Sequence, residues 1–260
     1  VARGDYDKAS QVLYDFTGII NVNLKIEEIR STLDSEKRES LSDLRGSALG
    51  LKPIVWVGIL LSVFQQFVGI NVIFYYSTTL WRTVGFEESD ALTITVITSV
   101  TNIVVTILAT LLVDKVGRRP MLLAGSFFMT ILLGLMVLAF SFANVSGGEV
   151  TLEVPWSPIA LMAANLFLVA FGATWGPLVW VLLGEMFPNR IRAGALAVAA
   201  AAQWVANFFI STTFPTFTSI SLTFAYGFYA FFALLSLIFV FFRVPETKGK
   251  ELEEMEDLAV

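Results

Sequence analysis

Apolar residues fill six blocks of this chain, at 53–80, 91–113, 120–143, 156–183, 193–217 and 222–242, and almost no charge falls inside them. Each block reaches the ~20 residues that an α-helix needs to cross a hydrocarbon layer ~30 Å thick. Within lipid only helices and closed barrels satisfy their backbone polar groups, and blocks this long and continuous exclude barrel strands. The pattern predicts an all-α integral membrane protein of six spans over residues 53–243. Residues 1–52 differ. There Val12, Leu13, Ile26, Ile29 and Leu33 recur at helical spacing among charges, with Gly18 and Gly46 as breaks. They read as two or three short amphipathic helices lying on the cytoplasmic face, or else as a partly disordered linker. Residues 244–260 form a tail.

Charge sets the orientation. Lys115, Arg118 and Arg119 follow the second block, Arg190 and Arg192 the fourth, and Arg243, Lys248 and Lys250 the sixth. Of 17 basic residues only Arg82 falls in the opposite loops, which carry Glu87, Glu88, Asp90, Glu149 and Glu153 instead. By the positive-inside rule both ends of the chain are expected in the cytoplasm. The net charge of −5 reflects acidic ends such as Glu251, Glu253, Glu254, Glu256 and Asp257, and gives no indication of nucleic-acid binding. The chain has no Cys and no His, which removes thiol chemistry and the commonest general base and metal ligand. No metal, cofactor or catalytic residue is expected. The sequence opens at Val1 without Met or a signal peptide, which points to further sequence upstream. Asn144-Val145-Ser146 matches a glycosylation sequon, a pattern frequent by chance.

Polar side chains in hydrocarbon cost energy unless they are paired or face a wet cavity. The first block holds Gln65, Gln66 and Asn71, then Tyr75 and Tyr76. On an unbroken helix six residues of separation would put Gln65 and Asn71 about 120° apart. A break near Gly69 would bring both to one cavity. The second block carries Thr95, Thr98, Asn102 and Thr106 on one face, a pattern equally suited to hydrogen bonding between helices. The fourth has Asn165, Thr174, Trp175 and Trp180 around Gly172, Gly176 and Pro177, and Pro177 is expected to kink it. The fifth has Gln203 and Asn207 on one face, with Trp204. Interrupted helices in first and fourth place are corresponding positions in two triplets, which is where a transporter builds its binding site. Amides that donate and accept, beside the flat faces of Trp175, Trp180 and Trp204, suit a neutral polyhydroxylated ring.

These residues resemble the sugar porter branch of the major facilitator superfamily. QQFVGIN at 65–71 resembles the seventh-helix signature of monosaccharide carriers, and DKVGRRP at 114–120 the loop between helices eight and nine. WGPLVWVLLGEMFPNRIR at 175–192 is similar to helix ten and its exit, AAQWVANF at 201–208 to helix eleven, and PETKG at 245–249 to the closing cytoplasmic motif. Trp175 and Gln203 are closer to the bacterial xylose and galactose proton symporters than to animal facilitative carriers. Ser77-Thr78 replaces the usual Ala-Pro after the tyrosines, and Ala193 the usual Gly after the second arginine.

The resemblance implies the C-terminal six-helix half of a twelve-helix bundle, built as two inverted triplets, with residues 1–52 as the intracellular helical linker. It implies that Gln65, Gln66, Asn71, Asn102, Trp180, Gln203 and Trp204 bind a monosaccharide. Tyr75 and Tyr76 would belong to an extracellular gate. Glu185, Arg118, Arg119, Arg190 and Arg192 would form a cytoplasmic charge network. The expected activity is monosaccharide transport by alternating access, proton-coupled in a full-length protein whose N-terminal half carries the coupling carboxylate. A membrane sugar receptor and an uncoupled uniporter are the alternatives.

Overall fold

The computed structural model describes residues 41–76, 87–146 and 149–249, together with Ile26 and Trp81. The amphipathic helices expected before residue 41, the Ser77-Thr78 departure, Arg82 and the acidic tail lie outside the described residues. Six spans are present: Pro53–Tyr75, Ser89–Val116, Arg118–Ser141, Trp156–Met186, Arg192–Ile220 and Leu222–Arg243. The first is divided into α1 (Pro53–Phe67) and α2 (Ile70–Tyr75). The second is α3 (Glu88–Val116) and the third α4 (Arg118–Ser141). The fourth is divided into α5 (Trp156–Gly172) and α6 (Trp175–Met186). The fifth is α7 (Arg192–Ile220) and the sixth α8 (Leu222–Arg243). A short antiparallel hairpin, Asn144–Ser146 with Glu149–Thr151, joins the third and fourth spans.

The packing is symmetric under exchange of the first three spans with the last three. Span 3 packs on span 6; span 3 meets span 4 as span 6 meets span 1; span 1 meets span 5 as span 4 meets span 2. Burial follows the same exchange: 56% of the apolar windows of spans 1 and 4 is buried, against 17% and 22% for spans 2 and 5. Spans 1 and 4 are therefore central, and spans 2 and 5 turn long apolar faces outward. The α4–α8 contact is an antiparallel seam. Leu122, Ser126, Met129, Leu133, Met136 and Phe140 on α4 face Tyr226, Tyr229, Ala233, Ser236 and Val240 on α8, all buried. Alternating steps of three and four along both helices give the spacing of a packed helix pair. Ser126 Oγ and Ser236 Oγ are 2.9 Å apart, and Phe140 stacks on Tyr226 at 5.1 Å.

Both central spans break where their sequence forces it. Gly69 caps α1 in the left-handed region at φ +84°, with its N–H bonded to Gln66 O. In span 4 the cause is Pro177, which lacks an N–H and whose ring excludes the carbonyl of Ala173. The chain leaves helical geometry at Thr174, φ −136° and ψ −86°. Side chains satisfy carbonyls around this break: Thr174 Oγ1 donates to Ala170 O at 2.6 Å and Thr106 Oγ1 to Gly172 O at 3.4 Å. Pro215 lies inside α7 without interrupting it. It frees the carbonyl of Ser211, four residues earlier, and the Tyr76 hydroxyl donates to that oxygen at 3.4 Å.

Candidate functional site

The break at Gly69 rotates α2 against α1, and the amides separated by it meet. Asn71 Nδ2 donates to Gln66 Oε1 at 2.5 Å. Gln65 turns the other way and donates from Nε2 to Trp175 O at 2.9 Å and Gly176 O at 3.2 Å. A carbonyl oxygen has two lone pairs, so these two can accept from Gln65 while serving their own helix. The side chain of one broken span is thus fastened to the first turn after the break in the other. Its amide nitrogen is committed there, which leaves Oε1 as its free group. Gln65 Oε1, Asn102 Oδ1 and Gln203 Oε1 are buried and have no partner among the described residues. Buried acceptors left this way are uncommon and call for a donor. Gln65 and Asn71 do not bond to each other, because Asn71 pairs with Gln66 and Gln65 with the α6 backbone.

The threonine face of α3 mainly joins helices. Thr98 Oγ1 donates to Asn165 Oδ1 at 2.5 Å, Thr106 reaches Gly172, and Asn102 lies so close to Gly172 that any Cβ there would collide with Oδ1. Thr95 bonds its own helix at Ala91 O. The aromatic residues divide. Trp175, expected to offer a flat face to a ligand, is fully buried and donates from Nε1 to Ser126 Oγ at 3.0 Å and Leu122 O at 3.2 Å. It holds the start of α6 against α4. Trp180 and Trp204 are 45% and 68% exposed and keep open faces. Tyr75 points outward, whereas Tyr76 packs on Phe214 at 4.8 Å beside Ser211.

The basic end of the bundle carries a second cluster. Arg118 forks onto Glu185, Nε to Oε2 at 2.9 Å and Nη2 to Oε1 at 2.6 Å, and also reaches Asp114 at 2.9 Å. Two parallel bonds between guanidinium and carboxylate make the strong form of this pair. Thr247 Oγ1 adds a bond to Glu185 at 2.6 Å. Glu246 accepts from the N–H groups of Arg118 and Arg119 at 3.0 Å each, and so caps α4. Gly117 allows this approach at φ +105°, since a Cβ there would lie 2.9 Å from Glu246 Oε2. Arg119 donates instead to Phe241 O at 2.7 Å. Of the four arginines expected in one network with Glu185, Arg118 meets it, whereas Arg190 pairs with Asp43 at 3.4 Å and Arg192 Nε with Phe187 O at 3.2 Å.

Burial pushes the Glu246 carboxyl up, but backbone donors from Lys248, Arg118, Arg119 and Thr247 outweigh it and hold it below the ordinary carboxylate range. A carboxylate depressed on folding stabilises fully above its unfolded pKa, and that contribution is lost as pH falls through the folded value. The clasp between the tail and α4 is therefore expected to survive mild acid and release only below the usual glutamate range of about 4. Mobility of a spin label near Lys248, followed against pH, checks this. Glu246→Gln should show the mobile signal already at neutral pH and no acid transition.

Comparison with known proteins decides the family. A family model described as sugar (and other) transporter matches residues 1–259. The chain belongs to this family. It is 53% identical over 98% of its length to a glucose transport protein of Synechocystis sp., and it covers 54% of that protein. It is 38% identical over 99% of its length to the D-xylose-proton symporter of Escherichia coli strain K12, covering 51% of it. The major facilitator proton:xylose symporter XylE, solved with 6-bromo-6-deoxy-D-glucose, superposes with a TM-score of 0.75 at 36% identity. That match covers all of this chain and 53% of the other. The chain thus spans about half the length of the curated relatives it matches, and it has the six-helix half-bundle of the major facilitator fold. Members of this transporter family are carriers, not enzymes.

Sequence reasoning for this member of the sugar-transporter family missed Asp114, Glu246 and Thr247 as members of the charged cluster. Glu246 stood inside the PETKG string and Asp114 inside DKVGRRP. Glu246 meets Arg118 across 128 residues and Thr247 meets Glu185 across 62, so neither spacing nor periodicity could pair those. Asp114, by contrast, stands four residues before Arg118, a helical spacing that did offer the pair. Ser126 and Ser236, the polar pair within the α4–α8 seam, gave no signal beyond lying at helical spacing.

Proposed function

We propose that this chain supplies the C-terminal half of the cavity of a monosaccharide transporter that works by alternating access. In this reading the sugar lies at the paired breaks of spans 1 and 4. Gln66 and Asn71 offer a pre-formed amide pair. Gln65, Asn102 and Gln203 offer acceptor oxygens to hydroxyl donors, and Trp180 and Trp204 offer faces to the C–H surface of the ring. The observation that carries the reading is Gln65, which ties one break to the other while its own oxygen stays buried and unpartnered. Only a neutral ligand rich in donors suits such a lining, because no Lys, Arg, Asp or Glu stands in the middle of any span. The positive-inside rule supports a cytoplasmic side for the basic loops that hold the Arg118–Glu185 cluster, and with it an outer side for Tyr75 and Tyr76. The first would then be an inner gate and the second an outer one, in a bacterial plasma membrane.

Coupling to protons belongs to a second six-helix half. A coupling group must change its charge, and the middles of these spans hold no carboxylate or imidazole. The partners are therefore that half, the bilayer and the sugar. Uptake of labelled monosaccharide into vesicles with an imposed proton gradient tests the reading. A full-length carrier containing this sequence should accumulate sugar in an uncoupler-sensitive way, and residues 1–260 alone should insert without accumulating any. Uncoupler-sensitive accumulation by the half alone would overturn it.

A further inference from the structure

The amide pair of Gln66 and Asn71 exists only because α2 leaves Gly69 in one direction, and α2 is too short to fix that direction by itself. It has six residues, and helices of that length have no independent stability. It joins α1 through Val68 and a left-handed glycine, which allows a wide range of exit angles. Its direction must come from what it leans on.

Two contacts bracket it. At its start, a Cβ on Gly69 would lie 2.7 Å from both Cγ and Cδ2 of Tyr229 and 3.1 Å from Cδ1. Three ring atoms at nearly one distance mean that the ring lies flat against the turn. At its end, Tyr76 packs on Phe214, and Phe214 lies 6.5 Å from Tyr229 at 30°. A row of rings, Tyr229, Phe214 and Tyr76, therefore underlies α2 from its first residue to its cap. Tyr229 is itself packed on several sides. It is fully buried in the α4–α8 seam, edge-on to Tyr226 at 6.1 Å and to Phe228 at 5.7 Å. Its hydroxyl is buried and has no partner among the described residues, so what Tyr229 contributes here is the ring.

We propose that Tyr229 is a positioning residue for the sugar site: its ring is the surface on which the Gly69 turn sets the direction of α2, and with it the place of Asn71. It touches no ligand and acts through α2. This rests on the reading of the breaks as a sugar site, since sugar affinity is the function affected.

The test uses the full-length carrier in a cysteine-free background and compares Tyr229→Phe, Tyr229→Leu and Tyr229→Met. Sugar affinity is measured on purified protein. The direction of α2 is read separately from thiol labelling of a Tyr75→Cys reporter, with Phe242→Cys on the far end of α8 as a control; both parent positions are exposed. The Phe variant should stay within about twofold of the parent in affinity and labelling, because the ring remains. The Leu variant should lose about tenfold or more in affinity and change labelling at position 75 but not at 242, since small misplacements of site groups have effects of this size. The Met variant carries the same expectation should the Leu variant fail to fold. The proposal is overturned if Phe loses as much as Leu, if neither Leu nor Met changes labelling at 75, or if labelling at 75 and 242 rises together. A parent carrier that binds no monosaccharide would refute the sugar site instead, and the labelling would still decide the role of Tyr229.

Discussion

Replacing Glu185 with lysine is expected to leave the carrier inserted and to shift it strongly toward the state open at its basic end. Glu185 takes two bonds from Arg118, whose side chain is 11% exposed against 34% for its own. Exposed ion pairs contribute about 0–1 kcal/mol, and breaking buried ones costs about 3–5 kcal/mol. A forked pair with one partner buried and the other partly wet belongs between them, at about 2 kcal/mol. That is roughly a thirtyfold change in a two-state population. Reversal also sets a cation against Arg118 and removes the acceptor of the Thr247 hydroxyl. Accessibility labelling of cavity positions on the basic side should rise several-fold, and Glu185→Gln should give a smaller rise. Labelling that does not change would remove this cluster from the gate.

The second large effect is expected at Gln65. Gln65→Ala should weaken monosaccharide binding by about 1–3 kcal/mol, because it removes an acceptor from the site and frees α1 from α6. The informative comparison is Gln65→Glu. At a pH that keeps it ionised, a carboxylate keeps an oxygen for a sugar hydroxyl, but it cannot donate to Trp175 O or Gly176 O and repels both. Glutamate should therefore bind sugar no better than alanine, by titration calorimetry on the purified full-length carrier. If Gln65→Glu keeps the parent affinity, the link between the two breaks is irrelevant to the site.

The architecture was legible because bilayer thickness acts directly on sequence: it sets span length and expels charge, so six blocks could be counted. The two breaks were legible for local reasons. Gly69 separates amides that a straight helix would point apart, and Pro177 deletes a hydrogen bond at a known offset. Direction around the helix axis was not legible. Trp175 beside Gly172 and Gly176 looked like a ligand face, yet the turn at Thr174 swings it into α4, where Ser126 and Leu122 receive its N–H. Pro215 shows the converse. It is as strong a breaker as Pro177, but it leaves α7 continuous, with the freed Ser211 carbonyl bonded from another span by Tyr76. Pairings at the basic end were hidden for a third reason. Glu185 had arginines five and seven residues away and took Arg118, 67 residues earlier, because the bundle brings the start of α4 to the end of α6.

The claim that sugar lies between two paired helix breaks is tested most directly by locating a heavy-atom sugar. A crystal structure of the full-length carrier with a bromo-substituted monosaccharide, solved using the bromine anomalous signal, fixes the ligand independently of how the helices are interpreted. The account predicts one bromine peak in the central cavity, with the sugar ring within hydrogen-bonding reach of Gln66 and Asn71 and against Trp180. A ring bound away from both breaks, with Gln65 and Asn71 out of its reach, would contradict it.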